Sequence, residues 1–289
     1  MYPASFEYHR AGSVDEAVAL LGQYGEDAKL LAGGHSLIPL LKLRFARPGH
    51  LIDVRKIPGM AGVREESNAI VIGAGTTHRQ LATSSVLWSR LPIVAEAAAI
   101  IGDPLVRNMG TIGGSLAHAD PGADLPAVML AVSAEIMLVG PTGRRSVKAD
   151  DFFIGLLETA IKPNEVLTEI RVPVPGARTG GAYEKFPHPA SRYAVVGAAA
   201  VVRLAEASVV ASARVAITGL GTRAVRAVGV EQAVTGRAPS DSTVTTAAAR
   251  AAEGVEMRAD SGLEADYRRE LAAVFVKRAL LRAVERAKE

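Results

Sequence analysis

Leu30-Leu31-Ala32-Gly33-Gly34-His35-Ser36-Leu37 is the stretch on which the reading of the fold turns. Residues 29–32 form a short apolar strand that runs into paired glycines, and Ser36 stands where it can cap a brief helix over 37–41. A strand that ends in glycines ahead of a helix start lets the backbone come close to an anion. Several N–H groups and the positive end of the helix dipole then point at it, and a diphosphate suits such a place. The same residues also suit a tight strand–helix turn with Ser36 as an ordinary cap, so this stretch alone decides nothing.

A second stretch of the same kind is Gly110-Thr111-Ile112-Gly113-Gly114-Ser115, followed by Asp120 and Asp124. Thr111 and Ser115 can donate to phosphate or ribose oxygens, and Asp124 can accept from a sugar hydroxyl or a ring N–H. The bland alternative is a glycine-rich loop with Asp124 capping a helix that begins near Pro126. Two such loops in one chain are harder to dismiss than one. Gly73-Ala74-Gly75-Thr76-Thr77-His78 starts like a dinucleotide fingerprint, but His78 occupies the third glycine position and the Rossmann reading fails.

Around these segments the periodicity predicts a helix over 13–24, with Ser13 and Glu16 as a capping box, and a strand over 51–54. A hairpin joins 62–64 to 70–73, and an Ala-rich helix over 91–101 stops at Gly102-Asp103-Pro104. Residues 107–124 suit no regular element and read as a long functional loop. Helix 126–132, a second hairpin (135–139 with 145–147) and a strand over 166–174 follow, and 176–181 reads as a linker. Two strand-like runs (193–204 and 209–218) then precede helices near 225–235, 242–253 and 264–286. Strands and helices mix without strict alternation, which indicates α+β.

Composition narrows the function. The 289 residues carry a net charge of only +3 without basic clusters, so no nucleic-acid partner is expected. No apolar run reaches the ~18 residues of a membrane span, and no signal peptide is visible. The chain has no cysteine, which excludes thiolate-bound zinc and iron–sulfur clusters held by its own thiolates. No histidine pair has the HExxH spacing, no base accompanies Ser36, and the Ala/Val-rich C-terminal third offers no acid–base set. No catalytic residue and no metal ligand is therefore expected, and any redox chemistry here needs an organic cofactor.

The two glycine stretches, read with Ile101 through Asp124, resemble the FAD domain of the vanillyl-alcohol-oxidase/para-cresol-methylhydroxylase (PCMH) superfamily. More closely they are similar to the flavoprotein (medium) subunit of molybdenum hydroxylases related to xanthine dehydrogenase, in the branch of aerobic carbon monoxide dehydrogenases. The likeness continues through Glu165-Val166-Leu167-Thr168-Glu169-Ile170, Tyr183-Glu184-Lys185-Phe186 and Ser191-Arg192-Tyr193-Ala194, so it spans nearly the whole chain. It implies a PCMH-type FAD-binding domain over 1–176, with subdomains of about 1–56 and 57–176, and a C-terminal antiparallel sheet with helices over 177–289.

By the same resemblance, Leu30, Leu31, Ala32, Gly33, Gly34, His35, Ser36 and Leu37, with Gly110, Thr111, Ile112, Gly113 and Gly114, wrap the FAD diphosphate and ribityl chain mainly through backbone N–H groups. Asp124 bonds the cofactor's polar edge, Ile101 and Leu167 add apolar contacts, Lys185 lies near the pyrimidine end of the flavin, and Tyr193 covers a ring face. A cation there would stabilise the reduced anion and an aromatic would stack on the rings. Ser115 stands where many relatives carry asparagine and is left outside the site. FAD is expected to be non-covalent, and molybdenum-pterin and the 2Fe-2S clusters to sit only in partner subunits: an iron–sulfur small subunit and a molybdenum-bearing large subunit, as a dimer of heterotrimers. Electrons would leave to a quinone or another acceptor, in the cytoplasm or against the inner face of the membrane. The rival readings are a stand-alone FAD oxidase or reductase of the same fold, a flavoprotein subunit of a purine, nicotine or aromatic hydroxylase, and a non-enzymatic nucleotide-binding module.

Overall fold

The computed structural model describes residues 2–206, 208–258 and 263–289. Its first sheet is three-stranded and parallel, with His50–Asp53 between Glu7–Arg10 and Ala28–Leu31. Helix Val14–Tyr24 makes the crossover between the outer two strands, and the Ser13 hydroxyl accepts from the Glu16 N–H at its start. Glu16 in turn accepts from the Gly12 N–H at 2.7 Å, one residue earlier than a capping box would place it. All three strands run the same way, so their carboxyl ends gather at one edge and release their loops there.

The second sheet is antiparallel and five-stranded, in the order Val63–Glu66, Ala69–Gly73, Val166–Pro173, Glu135–Gly140, Gly143–Lys148. Both hairpins and the period-two strand of the sequence reading lie in it. The third sheet is an antiparallel meander of Thr179–Pro187, Ala194–Leu204, Val210–Thr218 and Val225–Arg226. Helix Ala265–Lys288 packs across it. The architecture is α+β.

The strand Ala194–Leu204 is apolar on both faces because both faces are covered. Ala198, Ala200 and Val202 face the cluster that includes Phe275, Val276 and Leu280 of the long helix, while Ala199 joins the core beneath the other two sheets. Period-two geometry splits neighbouring residues between the two cores. The fully buried helix Asp124–Ala131 lies in the second of these, and Arg214 of the third sheet donates to the Leu130 carbonyl at its end.

Two readings of the glycine-rich segments are corrected. Residues 107–124 are not one irregular loop: helices Pro104–Met109 and Ile112–His118 occupy most of it. The second is started by Thr111, whose hydroxyl accepts from the Gly114 N–H at 3.1 Å. It is also tied down by Ile112 and Gly113 N–H groups donating to the Thr76 and Ala74 carbonyls. Tertiary bonds outweigh the poor helix propensity of paired glycines. Nor is 176–181 a plain linker, since the strand Thr179–Pro187 begins inside it. A Cβ at Gly180 would overlap the Ala283 carbonyl of the long helix, so glycine there marks close helix–sheet packing rather than chain flexibility. Strand Glu7–Arg10 and helices His78–Ala82 and Ser85–Arg90 add to the elements read from the sequence.

Candidate functional site

A cleft of about 1060 Å³ opens where the carboxyl edge of the first sheet meets the second sheet and one hairpin of the third. That is at the upper end of the ~300–1,000 Å³ usual for small-molecule sites and leaves room for a dinucleotide. Its walls come from the loop after Ala28–Leu31, from the segment 101–124, from 159–167 and from 191–193.

In the loop after Ala28–Leu31, the N–H groups of Gly33, Gly34, His35 and Ser36 donate to no acceptor among the described residues. Ser36 makes no side-chain cap to the six-residue helix Leu37–Lys42. Four consecutive unpaired donors in residues that line a cleft can form a nest of partial positive charge, and a diphosphate is the group such a nest suits. The segment 110–114 behaves differently. Its Ile112, Gly113, Gly114 and Ser115 N–H groups are all taken, by Thr76, Ala74, Thr111 Oγ1 and Thr111 carbonyl respectively. Most N–H groups of this second segment are thus engaged within the chain, and it brings hydroxyls and close-set backbone to the cleft. The two loops touch directly, since a Cβ on Gly33 would overlap the Met109 carbonyl oxygen and lie 2.8 Å from Gly110 Cα.

Of the residues expected from the sequence, Leu30, Ala32, Gly33, Gly34, His35, Ser36, Leu37, Ile101, Gly110, Thr111, Gly113, Gly114, Asp124, Leu167 and Tyr193 line this cleft. Leu31 and Ile112 are buried behind it, and Lys185 is buried against Asp124 in its wall. The Lys185 side chain is only 2% exposed; its Nζ lies 2.9 Å from Asp124 and also donates to the Ile100 carbonyl at 3.3 Å. Tyr183 donates its hydroxyl to the same carboxylate at 2.7 Å. Burial pushes the Asp124 carboxyl up, and the Lys185 charge with the Tyr183 and Lys185 hydrogen bonds opposes that. Lys185 thus neutralises the Asp124 carboxylate at the cleft wall. Tyr193, 43% exposed, is carried by the turn between Thr179–Pro187 and Ala194–Leu204, where the Arg192 N–H donates to the His188 carbonyl.

Sequence reasoning missed several lining residues. Ser115, set aside earlier, is among them, as are Lys29, Lys56 and Lys162. No motif marks those lysines. His78 lies behind Gly110, with its Nδ1 buried and unpartnered. Burial first, then the charges of His35 and Arg107, pull its pKa down to about 4, so the ring is neutral at pH 7.

A row of unpaired backbone donors, flanking hydroxyls, an aromatic ring and a dinucleotide-sized cleft together suit a nucleotide cofactor. Residues 4–175 match the family described as the FAD binding domain in molybdopterin dehydrogenase, and residues 181–283 match the CO dehydrogenase flavoprotein C-terminal domain. The chain belongs to this family of FAD-binding oxidoreductase subunits. It is 49% identical over 280 residues to the carbon monoxide dehydrogenase medium chain of Hydrogenophaga pseudoflava, covering 97% of each. The solved structure of carbon monoxide dehydrogenase from that organism, lacking the Mo-pyranopterin moiety of the molybdenum cofactor, superposes with a TM-score of 0.95 at 50% identity over 99% of both chains. The 6-hydroxypseudooxynicotine dehydrogenase complex subunit alpha of Paenarthrobacter nicotinovorans is 38% identical over 100% of this chain and 97% of its own. Among the described residues, no helix is long and apolar enough to cross a membrane.

Proposed function

We propose that this chain is the FAD-carrying, electron-transferring subunit of a molybdenum-type carbon monoxide dehydrogenase, whose complex converts CO and H2O to CO2, two protons and two electrons. The observation that carries the reading is the row of unpaired N–H groups at 33–36 on a dinucleotide-sized cleft, in a chain without a cysteine. Those donors hold the diphosphate. Thr111 and Ser115 offer hydroxyls, Ile101 and Leu167 offer apolar contacts, and Tyr193 is placed to lie against a ring. The Asp124–Lys185–Tyr183 cluster fixes the wall of the cleft with its charge already balanced. When bound, FAD supplies a carrier of one or two electrons, which suits a junction between single-electron clusters and a two-electron acceptor.

On this reading, domain 1–176 (subdomains about 1–56 and 57–176) holds FAD and 177–289 completes the cleft. An iron–sulfur small subunit delivers the electrons, a molybdenum-bearing large subunit reacts with the substrate, and a quinone takes the electrons away. Two such heterotrimers pair, in the cytoplasm or against the inner face of the membrane. The choice of carbon monoxide rests on the 49% relative. The isolated, FAD-loaded chain should leave carbon monoxide, purines and aldehydes untouched while still accepting electrons from dithionite. Anaerobic flavin absorbance reads this: bleaching by a substrate without partners would favour a stand-alone oxidase, and bleaching that needs both partners supports the relay. A simpler expectation concerns attachment. No cysteine is available to hold FAD, and acid precipitation should release all yellow colour into the supernatant. Colour left in the pellet would mean a covalent link.

A further inference from the structure

Period-two geometry sets Glu7 and His9 on one face of the first strand, and the parallel register places His50 directly beside Glu7 on the neighbouring strand. Three potential ligand atoms converge there. His9 Nε2 lies 3.0 Å from His50 Nδ1, and one carboxylate oxygen of Glu7 lies 3.5 Å from His50 Nδ1 and 3.9 Å from His9 Nε2. Zinc binds imidazole nitrogen and carboxylate oxygen at ~2.0–2.2 Å, so tetrahedral ligand atoms stand about 3.3–3.5 Å apart. The observed triangle brackets that value.

The site is also held in shape. The Tyr24 ring, at the end of helix Val14–Tyr24, stacks on His50 with centroids 3.7 Å apart and lies 4.9 Å from His9. Glu7 has no Lys or Arg partner among the described residues, and it is open to solvent on one side. This cluster sits toward the amino ends of the strands, whereas the cleft forms at their carboxyl ends. We propose that Glu7, His9 and His50 form a binding site for a divalent transition-metal ion, best matched to Zn2+, with the fourth position open to water. The ion would replace the proton shared between the two rings and clip the outer strand to the central one.

The test uses the FAD-loaded full chain, stripped with a chelator and dialysed against Zn2+ alone. The wild type should take up one saturable equivalent and gain thermal stability. His50→Gln should weaken binding by more than about 100-fold, the upper end of what losing a mere supporting partner costs, and should abolish the thermal gain. Glu7→Gln, at an exposed position that should not disturb folding, keeps an oxygen donor but loses the charge and should weaken it by about 10-fold. Flavin content should stay the same in both variants. Equal zinc binding by wild type and both variants would overturn the proposal, as would the absence of saturable binding by the wild type below about 1 mM.

Discussion

Lys185→Met is expected to destabilise the folded chain by about 3–5 kcal/mol, because it strands a buried carboxylate without its cation. Asp124 is 4% exposed, and once the ammonium is gone the Tyr183 hydroxyl and its own backbone N–H remain as neutral donors, with no charge opposite it. Asp124→Asn in the same chain should recover most of the loss, since a neutral amide can still accept from Tyr183 and needs no counter-charge. Chemical denaturation of wild type, single and double variants reads this directly. A single variant as stable as the wild type would show that the pair contributes nothing. The double variant separates this role from a direct one at the flavin: if Lys185 acted on the cofactor, flavin affinity would stay low when stability returns.

The pH dependence has a definite sign. Burial already raises the Asp124 pKa in the wild type, and removing Lys185 removes the largest opposing influence. A carboxyl whose folded pKa lies above its unfolded value is stabilising below the unfolded pKa, and that contribution is lost as pH rises toward the folded one. The deficit of Lys185→Met should therefore be smallest in mild acid and grow toward neutral pH. A deficit that is flat with pH would point to lost packing of the lysine stem instead.

How much of this was legible before the structure depended on the range of the interactions. The hairpins around 67–68 and 140–143, the strand ending at Pro173 and the long terminal helix follow from local alternation, turn residues and helical spacing. Both glycine stretches were also legible as site material. Their division of labour was not, since whether an N–H is free depends on where Ala74 and Thr76, nearly forty residues upstream, place their carbonyls. Lys185 looked like a lone cation because its partner is 61 residues away. Residues 176–181 looked like a linker because Gly180 answers to a helix a hundred residues further on. Local pattern names the elements, while the long-range contacts decide which polar groups remain available for a ligand.

Gly33→Val is expected to leave the chain without retained flavin after gel filtration. Gly33 is pressed against the other glycine loop, and any Cβ would overlap the Met109 carbonyl oxygen and sit 2.8 Å from Gly110 Cα. These are backbone atoms, with no side chain that could swing aside, so the strain should exceed the ~1–3 kcal/mol of ordinary overpacking. Relief requires the two loops to part, which displaces the N–H groups of 33–36. His35→Ala is the control in the same loop. Among the described residues its ring bonds only the Leu105 carbonyl, at 3.2 Å and exposed, so its loss should cost about 1 kcal/mol or less, roughly a fivefold change in affinity. Flavin-to-protein absorbance ratios compare the two, with far-UV circular dichroism confirming that each is folded. Equal loss of flavin from both would mean that the histidine side chain, rather than the geometry of the backbone donors, holds the cofactor.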